Sequence, residues 1–369
     1  MSDLPFDLSL TEDQRMTRES LKRFAQDVLR AQSRDADEAG ATPSDYFAQA
    51  QELGLALMPI PEDFGGAGAE RSPLSNVLAA EDLAWGDMSL GLAALTPLSV
   101  VNLLIDQGSK AQQEKYLTQL ASEEFVPAAI ALMEPRARFD ATEIRTTARR
   151  EGSSYVLDGE KSLVILGVSA RFIVVVATLE GEGPAAFIVE QGVAGLTAKR
   201  EEIMGLRAVE VARLTLAGVS VPASARLGES EKTFDLERLV DLGRIGTCAL
   251  AMGVSQAVLD YVVPYVNERV AFGEPISQRQ SVAFTVANMA IELEGMRLLT
   301  YRAASRAEQG LPFHKEAYLA RVLCAEKAME IGTNGIQMLG GHGFIREHLV
   351  ELFYRNLRAV GILEGAAVV

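Results

Sequence analysis

The chain has few of the residues that stabilise small secreted folds or bind metal ions. It contains two cysteines, one tryptophan and three histidines among 369 residues. Cys248 and Cys324 each lie in apolar, helix-like sequence, so we expect reduced thiols in a core rather than a disulfide. His314, His342 and His348 do not have the spacing of a metal site. We therefore expect surface or core roles for the histidines and no bound metal.

Positive charge and long apolar runs are also scarce. The 35 lysines and arginines are outnumbered by 50 acidic residues, which gives a net charge of −15 and disfavours nucleic acid and anionic membranes as partners. No apolar run reaches the roughly 18–20 residues of a membrane span, and the first five residues lack the features of a signal peptide. We therefore expect a cytoplasmic protein with no membrane and no nucleic-acid partner. A nucleotide-bearing ligand stays open, because a local basic pocket can oppose the overall charge.

Hydrophobic periodicity divides the chain into three parts. The first, residues 1–125, is helical: a capping box at Thr11 precedes an amphipathic run, and helical patterns return at 74–83 and 92–104. In the second part, residues 126–233, short β-branched segments alternate with Gly-rich turns. The predicted strands are 144–148, 155–157, 172–177, 186–189 and 211–216.

The third part, residues 234–369, returns to long helical patterns at 236–270, 281–308 and 313–339. A chain of this length is expected to form two or three subdomains. The predicted fold class is therefore α+β multidomain, with an N-terminal α-helical domain, a central β domain and a C-terminal four-helix bundle.

Short motifs in this order resemble those of the acyl-CoA dehydrogenase family. They include Pro-Glu-Asp-Phe-Gly-Gly, Leu-Met-Glu-Pro, and the hairpin Tyr-Val-Leu-Asp-Gly-Glu-Lys. Two more, Glu-Arg-Val-Ala-Phe-Gly-Glu-Pro-Ile and Gln-Met-Leu-Gly-Gly-His-Gly, lie in the third part. The five motifs occupy residues 61–66, 132–135, 155–161, 268–276 and 337–343. A sixth similarity, around Glu364 in Ile-Leu-Glu-Gly-Ala, matches the catalytic-glutamate region of that family.

The resemblance implies FAD-dependent α,β-desaturation of an acyl-CoA, or of a carrier-protein thioester. Glu364 is then the base for the α-proton, and Asp241 and Arg244 lie on the substrate side. The thioester carbonyl must be polarised before a carboxylate can remove that proton. The hydride needs a flavin, since no side chain accepts one. Dimers or tetramers, and an electron-transfer flavoprotein as electron acceptor, are also implied.

In the family FAD lies between two subunits, so its contacts fall into two sets. The own-subunit set holds the flavin of the same subunit. Here its positions carry residues that lack the family's hydroxyl, aromatic or small side chains. They are Met133, Arg138, Phe139, Leu163, Ile165 and Ala366, together with Val368 where the family has a glutamine. Each lost hydrogen bond is worth about 1 kcal/mol, so together these changes are expected to weaken FAD binding by several orders of magnitude.

The neighbour set reaches across to the flavin of the adjoining subunit, and here it matches the family. It consists of Arg269, Phe272, Gln280, Gln337, Gly340 and Gly341. An arginine suits the pyrophosphate because its planar fork pairs with two oxygens. The contrast predicts a flavin-deficient subunit of a hetero-oligomer that lends contacts to the FAD of a paralogous partner.

Other readings of the same residues stay open. The protein is alternatively an ordinary FAD-binding homo-oligomer, a flavin-free enzyme that uses Glu364 for proton transfer on a thioester, or a structural subunit in which Glu364 is a relic. The alternative to a substrate contact for Arg244 is a salt bridge between subunits. The alternative role of the neighbour-set residues is packing at the ends of helices. Lys161 is expected to be a turn residue and Trp85 a core residue.

Overall fold

The N-terminal part is helical, as predicted. The computed structural model describes residues 9–229 and 232–369, so the first five residues, on which the signal-peptide prediction rests, lie outside it. Helix α1 (Glu12–Phe24) begins at Thr11, whose hydroxyl accepts from the backbone N–H of Gln14 while the Gln14 side chain accepts from Thr11. This is the predicted capping box. A π-helical turn, Ala25–Arg30, continues the helix into α2 (Ala31–Ala39).

Four more helices complete this part, and two of them are almost wholly buried. The four are α3 (Tyr46–Glu52), α4 (Pro73–Gly86), α5 (Met88–Gln107) and α6 (Lys110–Leu120). Asp87 separates α4 from α5, and its carboxylate accepts from the N–H of Leu90 to cap α5. Helix α5 is long and apolar enough to cross a membrane, but 94% of its most apolar window is buried inside the protein. That burial is typical of a core helix in a globular protein.

The central part is a mixed sheet of seven strands. They are β1 (Ala128–Ala131), β2 (Thr147–Glu151), β3 (Ser154–Ile165), β4 (Phe172–Leu179), β5 (Gly183–Glu190), β6 (Leu196–Arg200) and β7 (Val211–Pro222). The strand order is β1-β4-β2-β3-β7-β6, with β5 paired to β4. One face has its own cluster of buried apolar side chains, and the other packs on the helices. The sequence missed β1 and β6, which are short.

The C-terminal part contains four helices and a small hairpin. The helices are α7 (Leu236–Glu268), α8 (Gln280–Glu308), α9 (His314–Leu339) and α10 (Val350–Val360). The hairpin pairs β8 (Val270–Ala271) with β9 (Glu274–Pro275) between α7 and α8. Helix α7 also has the length and composition of a membrane span, and 83% of its most apolar window is buried.

The two helical parts share one hydrophobic core. Buried residues from α1, α4 and α5 belong to the same cluster as those of α7, α8, α9 and α10. Helices α4 and α7 approach so closely that a Cβ on Gly253 would lie 2.1 Å from the carbonyl oxygen of Glu81. The predicted fold class, with helical, β and helical parts in that order, is confirmed.

Lys161 is not the turn residue that the sequence predicted. It lies within β3 and is fully buried. Its ammonium donates to the carbonyl of Leu132 at 3.0 Å and pairs with Glu134 at 3.2 Å. Burial lowers the pKa of Lys161 to about 8, although Glu134 opposes the shift. The Leu-Met-Glu-Pro motif follows β1, and through Glu134 it supplies the counter-charge that a buried lysine needs.

Candidate active site and flavin-facing surface

Glu364 lies just after α10, between two arginines from different helices. Its Oε2 is 3.2 Å from Nε of Arg244 on α7, and its Oε1 is 3.5 Å from Nε of Arg321 on α9. Its side chain is 15% exposed, so both ion pairs are partly shielded from water. Arg321 also donates to the carbonyls of Val360 and Leu363. The Glu364 side chain is therefore held in a fixed orientation by arginines on two sides.

The residues after Glu364 form a tail that packs against α5 and α7. Gly365 has φ +68°, and an added Cβ would lie 2.8 Å from the side chain of Leu132. On α7, a Cβ at Gly246 would lie 2.0 Å from the carbonyl oxygen of Ala367. These glycines let the tail lie directly on the helix. On the α5 side, the N–H of Val368 donates to Ser99 and its carbonyl accepts from Asn102, each at 2.9 Å. The tail is thus fixed along its backbone.

Asp241 is buried and points at other protein groups. Its Oδ2 is 2.8 Å from Nδ1 of His314, and its Oδ1 is 3.8 Å from Arg244. Burial raises the pKa of Asp241, while His314 and Arg244 oppose the shift. Glu237, Asp241 and His314 form a group of two carboxylates and one imidazole, whose ligand atoms lie within 4.8 Å of one another. The Arg244 charge beside it disfavours a cation there.

The own-subunit set offers little that could bind a flavin. Met133 and Ile165 are buried, and the Met133 sulfur already accepts from the N–H of Glu364 at 3.2 Å. Leu163 and Phe139 are half-buried against the core, with the Arg136 guanidinium 5.4 Å from the Phe139 ring. These side chains carry no hydroxyl or amide that could bind the flavin edge. The set does not fit the polar groups of FAD.

The neighbour set surrounds a wide cleft on the outside of the C-terminal part. This outer cleft has a volume of about 1100 Å³. One wall is formed by the β8–β9 hairpin and the start of α8, and the other wall by the end of α9. Its lining includes Tyr265, Arg269, Phe272, Arg279, Gln337, Gly340, Gly341 and His342. Gln280 is exposed at the first position of α8, and the cleft wall there is formed by its neighbours Arg279 and Ser281. The structure thus brings together five of the six predicted residues.

Two features of the outer cleft leave room for a group that approaches from outside. Phe272 and Gly273 form the two-residue turn between β8 and β9, and both have the positive φ that such a turn requires. Phe272 is 95% exposed and adopts φ +55°, a backbone conformation that is unfavourable for a bulky residue. Apart from the neighbouring residues of its own turn, no described atom lies within 4 Å of where a Cβ on Gly341 would be. A strained, exposed phenyl ring and a glycine without crowding both suit a partner that approaches from outside. Together with the exposed Arg269, they fit an aromatic, anionic group such as FAD.

Several residues of these sites were not found from the sequence. Arg321 is separated from Glu364 by a whole helix, so no local pattern marks it. His342 hydrogen-bonds through Nδ1 to the hydroxyl of Tyr265 at 2.8 Å, and it stacks on His348 with ring centres 5.1 Å apart. This pair supports the floor of the outer cleft. The only available signal was that His342 lies inside the Gly-Gly-His-Gly motif.

All three parts of the chain match domains of one family. The acyl-CoA dehydrogenase N-terminal domain matches residues 11–124, the middle domain residues 129–219, and the C-terminal domain residues 235–369. The mitochondrial short-chain specific acyl-CoA dehydrogenase of Rattus norvegicus is 34% identical over 367 residues, which cover 98% of this chain and 88% of that protein. The chain therefore belongs to the acyl-CoA dehydrogenase family.

Solved structures agree with this assignment. The butyryl-CoA dehydrogenase of Megasphaera elsdenii is similar with a TM-score of 0.87 at 31% identity, covering 97% of this chain and 95% of that one. A glutaryl-CoA dehydrogenase of Mycobacterium smegmatis in complex with FADH2 has a TM-score of 0.86 at 26% identity, covering 95% and 90%. The likeness extends across the helical and β parts together.

Proposed function

We propose that this chain is the flavin-deficient subunit of a hetero-oligomeric acyl-CoA dehydrogenase. The observation that carries the proposal is the contrast between the two sets of flavin contacts. Apart from the exposed Arg138, the own-subunit set presents buried or half-buried apolar side chains, whereas the neighbour set presents Arg269, Phe272 and Gln337 at an open cleft. A subunit with this division lends contacts to a flavin that a paralogous partner holds.

Glu364 is the proposed base for the α-proton of an acyl-CoA or carrier-protein thioester. Arg244 and Arg321 contact the two oxygens of Glu364 from opposite sides and orient its carboxylate. The turn at Gly365 fixes its position relative to α7. Desaturation at Glu364 would need FAD bound beside it as the acceptor of the β-hydride, which no residue of this chain could replace. The electrons are then proposed to pass to an electron-transfer flavoprotein.

A second candidate is proton transfer without a flavin, such as isomerisation of an unsaturated thioester. It is favoured by one observation: Glu364 keeps a well-held position although the residues meant to bind the flavin of the same subunit do not fit it. The two candidates differ in one result. Under the first, FAD must be present for turnover; under the second, Glu364→Gln abolishes turnover in a protein that contains no flavin.

The proposal is tested by measuring FAD in the purified chain alone and after coexpression with a paralogous subunit. We expect little FAD on the isolated chain and about one FAD per pair of subunits in the complex, which size-exclusion chromatography would resolve. Stoichiometric FAD on a homo-oligomer of this chain would overturn the proposal.

Variants of outer-cleft residues test whether this cleft contributes to FAD binding in the complex. Arg269→Met removes charge-assisted hydrogen bonds worth about 1.5–3 kcal/mol, so FAD retention by the complex should weaken roughly 10- to 100-fold. Phe272→Ala is expected to weaken it as well. Phe344→Ala is the matched control, because Phe344 is 91% exposed but does not line the cleft. An equal loss of FAD in Phe344→Ala would show that the cleft has no special role.

A further inference from the structure

A line of ionisable side chains connects the protein surface to Glu364. It begins at His314, the first residue of α9, whose side chain is 55% exposed. From there it passes to Asp241 at 2.8 Å, and from Asp241 to Arg244 at 3.8 Å. Arg244 then contacts Glu364 at 3.2 Å. Within this line, Asp241 and Arg244 each contact both the group before them and the group after them.

Asp241 is the group in this line that can change partners. It is only 2% exposed, and its Oδ1 accepts no hydrogen bond among the described residues. Its Oδ2 is held by His314, so the carboxylate is turned away from close contact with Arg244. If His314 were absent, the buried carboxylate of Asp241 would turn to Arg244, because an unpaired buried charge is strongly unfavourable.

Arg244 is shared in the same way. Its Nε lies beside Glu364 while its Nη1 faces Asp241. A closer pair between Arg244 and Asp241 would draw the guanidinium away from Glu364. That carboxylate would then be held by Arg321 alone, at 3.5 Å. The orientation of Glu364 thus depends on how Asp241 divides its charge between His314 and Arg244.

We propose that His314 is a positioning residue for Glu364, acting through Asp241 and Arg244. The inference rests on the proposed role of Glu364 as the base. It assigns a function to a half-exposed side chain that does not touch Glu364. It also predicts that His314 and Asp241 are energetically coupled, whereas a residue that only stabilises the start of α9 would act independently of Asp241.

The test follows deuterium incorporation at the α-carbon of butyryl-CoA in D₂O, by mass spectrometry, with the full chain. This exchange needs the base and a polarised thioester carbonyl but no hydride transfer, so it is followed both with and without added FAD. Affinity for butyryl-CoA is measured in parallel by calorimetry. We expect His314→Ala to slow exchange about 3- to 10-fold, with the affinity changed less than twofold, since positioning of a base alters the rate and leaves binding unchanged.

Two further variants separate positioning from folding. His314→Asn should restore most of the rate, because its amide nitrogen lies near the position of Nδ1 and can donate to Asp241. In an Asp241→Asn background, His314→Ala should have no further effect, as a double-mutant cycle requires for coupled residues. Lys315→Ala, an exposed change in the same helical turn, is the control and should leave the rate unchanged.

The outcomes distinguish this inference from the function on which it rests. If Glu364→Gln abolishes exchange but His314→Ala is silent, or is equally harmful with and without Asp241, only the role of His314 is overturned. If exchange in the wild-type chain does not exceed the buffer rate, or is unchanged by Glu364→Gln, the proposed base and the inference both fail.

Discussion

Replacing Arg321 should loosen the segment that carries Glu364. In Arg321→Met the carbonyls of Val360 and Leu363, both in buried residues, lose their donor. Each unsatisfied buried carbonyl costs about 1–3 kcal/mol. The ion pair with Glu364 is lost as well, although Arg244 still holds the other oxygen. Together these losses amount to about 3–5 kcal/mol, in the range observed when one partner of a buried pair is removed.

The assay is native-state hydrogen exchange of the backbone amides in residues 350–369, because it reports the free energy of local opening. A loss of about 3 kcal/mol or more should accelerate this exchange at least a hundredfold. Arg321→Lys keeps the charge but not the fork, so it should give a smaller acceleration. Arg302→Met is the control, since Arg302 is 57% exposed and forms a single ion pair at 3.7 Å. Unchanged exchange in Arg321→Met would refute this account of how Glu364 is held.

Three other predictions concern the fold itself. The folded chain gives up the Lys161 proton near pH 8 and the unfolded chain near 10.5, so the free energy of unfolding should rise across this window, by at most about 3 kcal/mol. Urea titrations should show that Lys161→Met lacks this rise; an identical pH dependence would contradict the buried charge. Phe272→Gly relieves an unfavourable φ and loses almost no burial, so the isolated chain should be as stable as before or up to about 1 kcal/mol more stable. A thiol-labelling reagent should modify neither Cys248 nor Cys324 until denaturant is added, because both are buried and the hydrogen bond with Cys324, together with burial, raises the pKa of Cys248. Rapid labelling of either thiol in the folded chain would show that the core opens readily.

The sequence predicted well what depends on local periodicity. The amphipathic run after Thr11 and the three long C-terminal helices lie where the pattern placed them, within a few residues. The five predicted strands overlap observed ones, but β3 and β7 extend six or more residues beyond the predicted ends. The outer cleft was also within reach. Its residues come from two compact motifs, one just before α8 and one at the end of α9. The fold brings these two motifs together.

What the sequence could not show are contacts between distant positions. Lys161 is the last residue of a Gly-containing hairpin motif and so resembled a turn residue, but its burial depends on Glu134 from another segment. His314 gave no sign of its contact with Asp241, because α7 and α9 meet only in the folded chain. Burial of a charge is decided by its partners in space, and a single sequence does not specify them.

The shared core of the two helical parts has a consequence for how the chain is made. Helix α4 and the apolar helix α5 leave the ribosome well before α7, against which α4 packs at Gly253. At 5–20 residues per second, the intervening β part takes on the order of ten seconds to synthesise. During that time a helix as apolar as a membrane span can pack on α4, α6 and β1 but lacks the cover that α7 and the C-terminal tail provide. The β sheet, with a core cluster of its own, can form meanwhile, so the last part to be made completes the fold of the first.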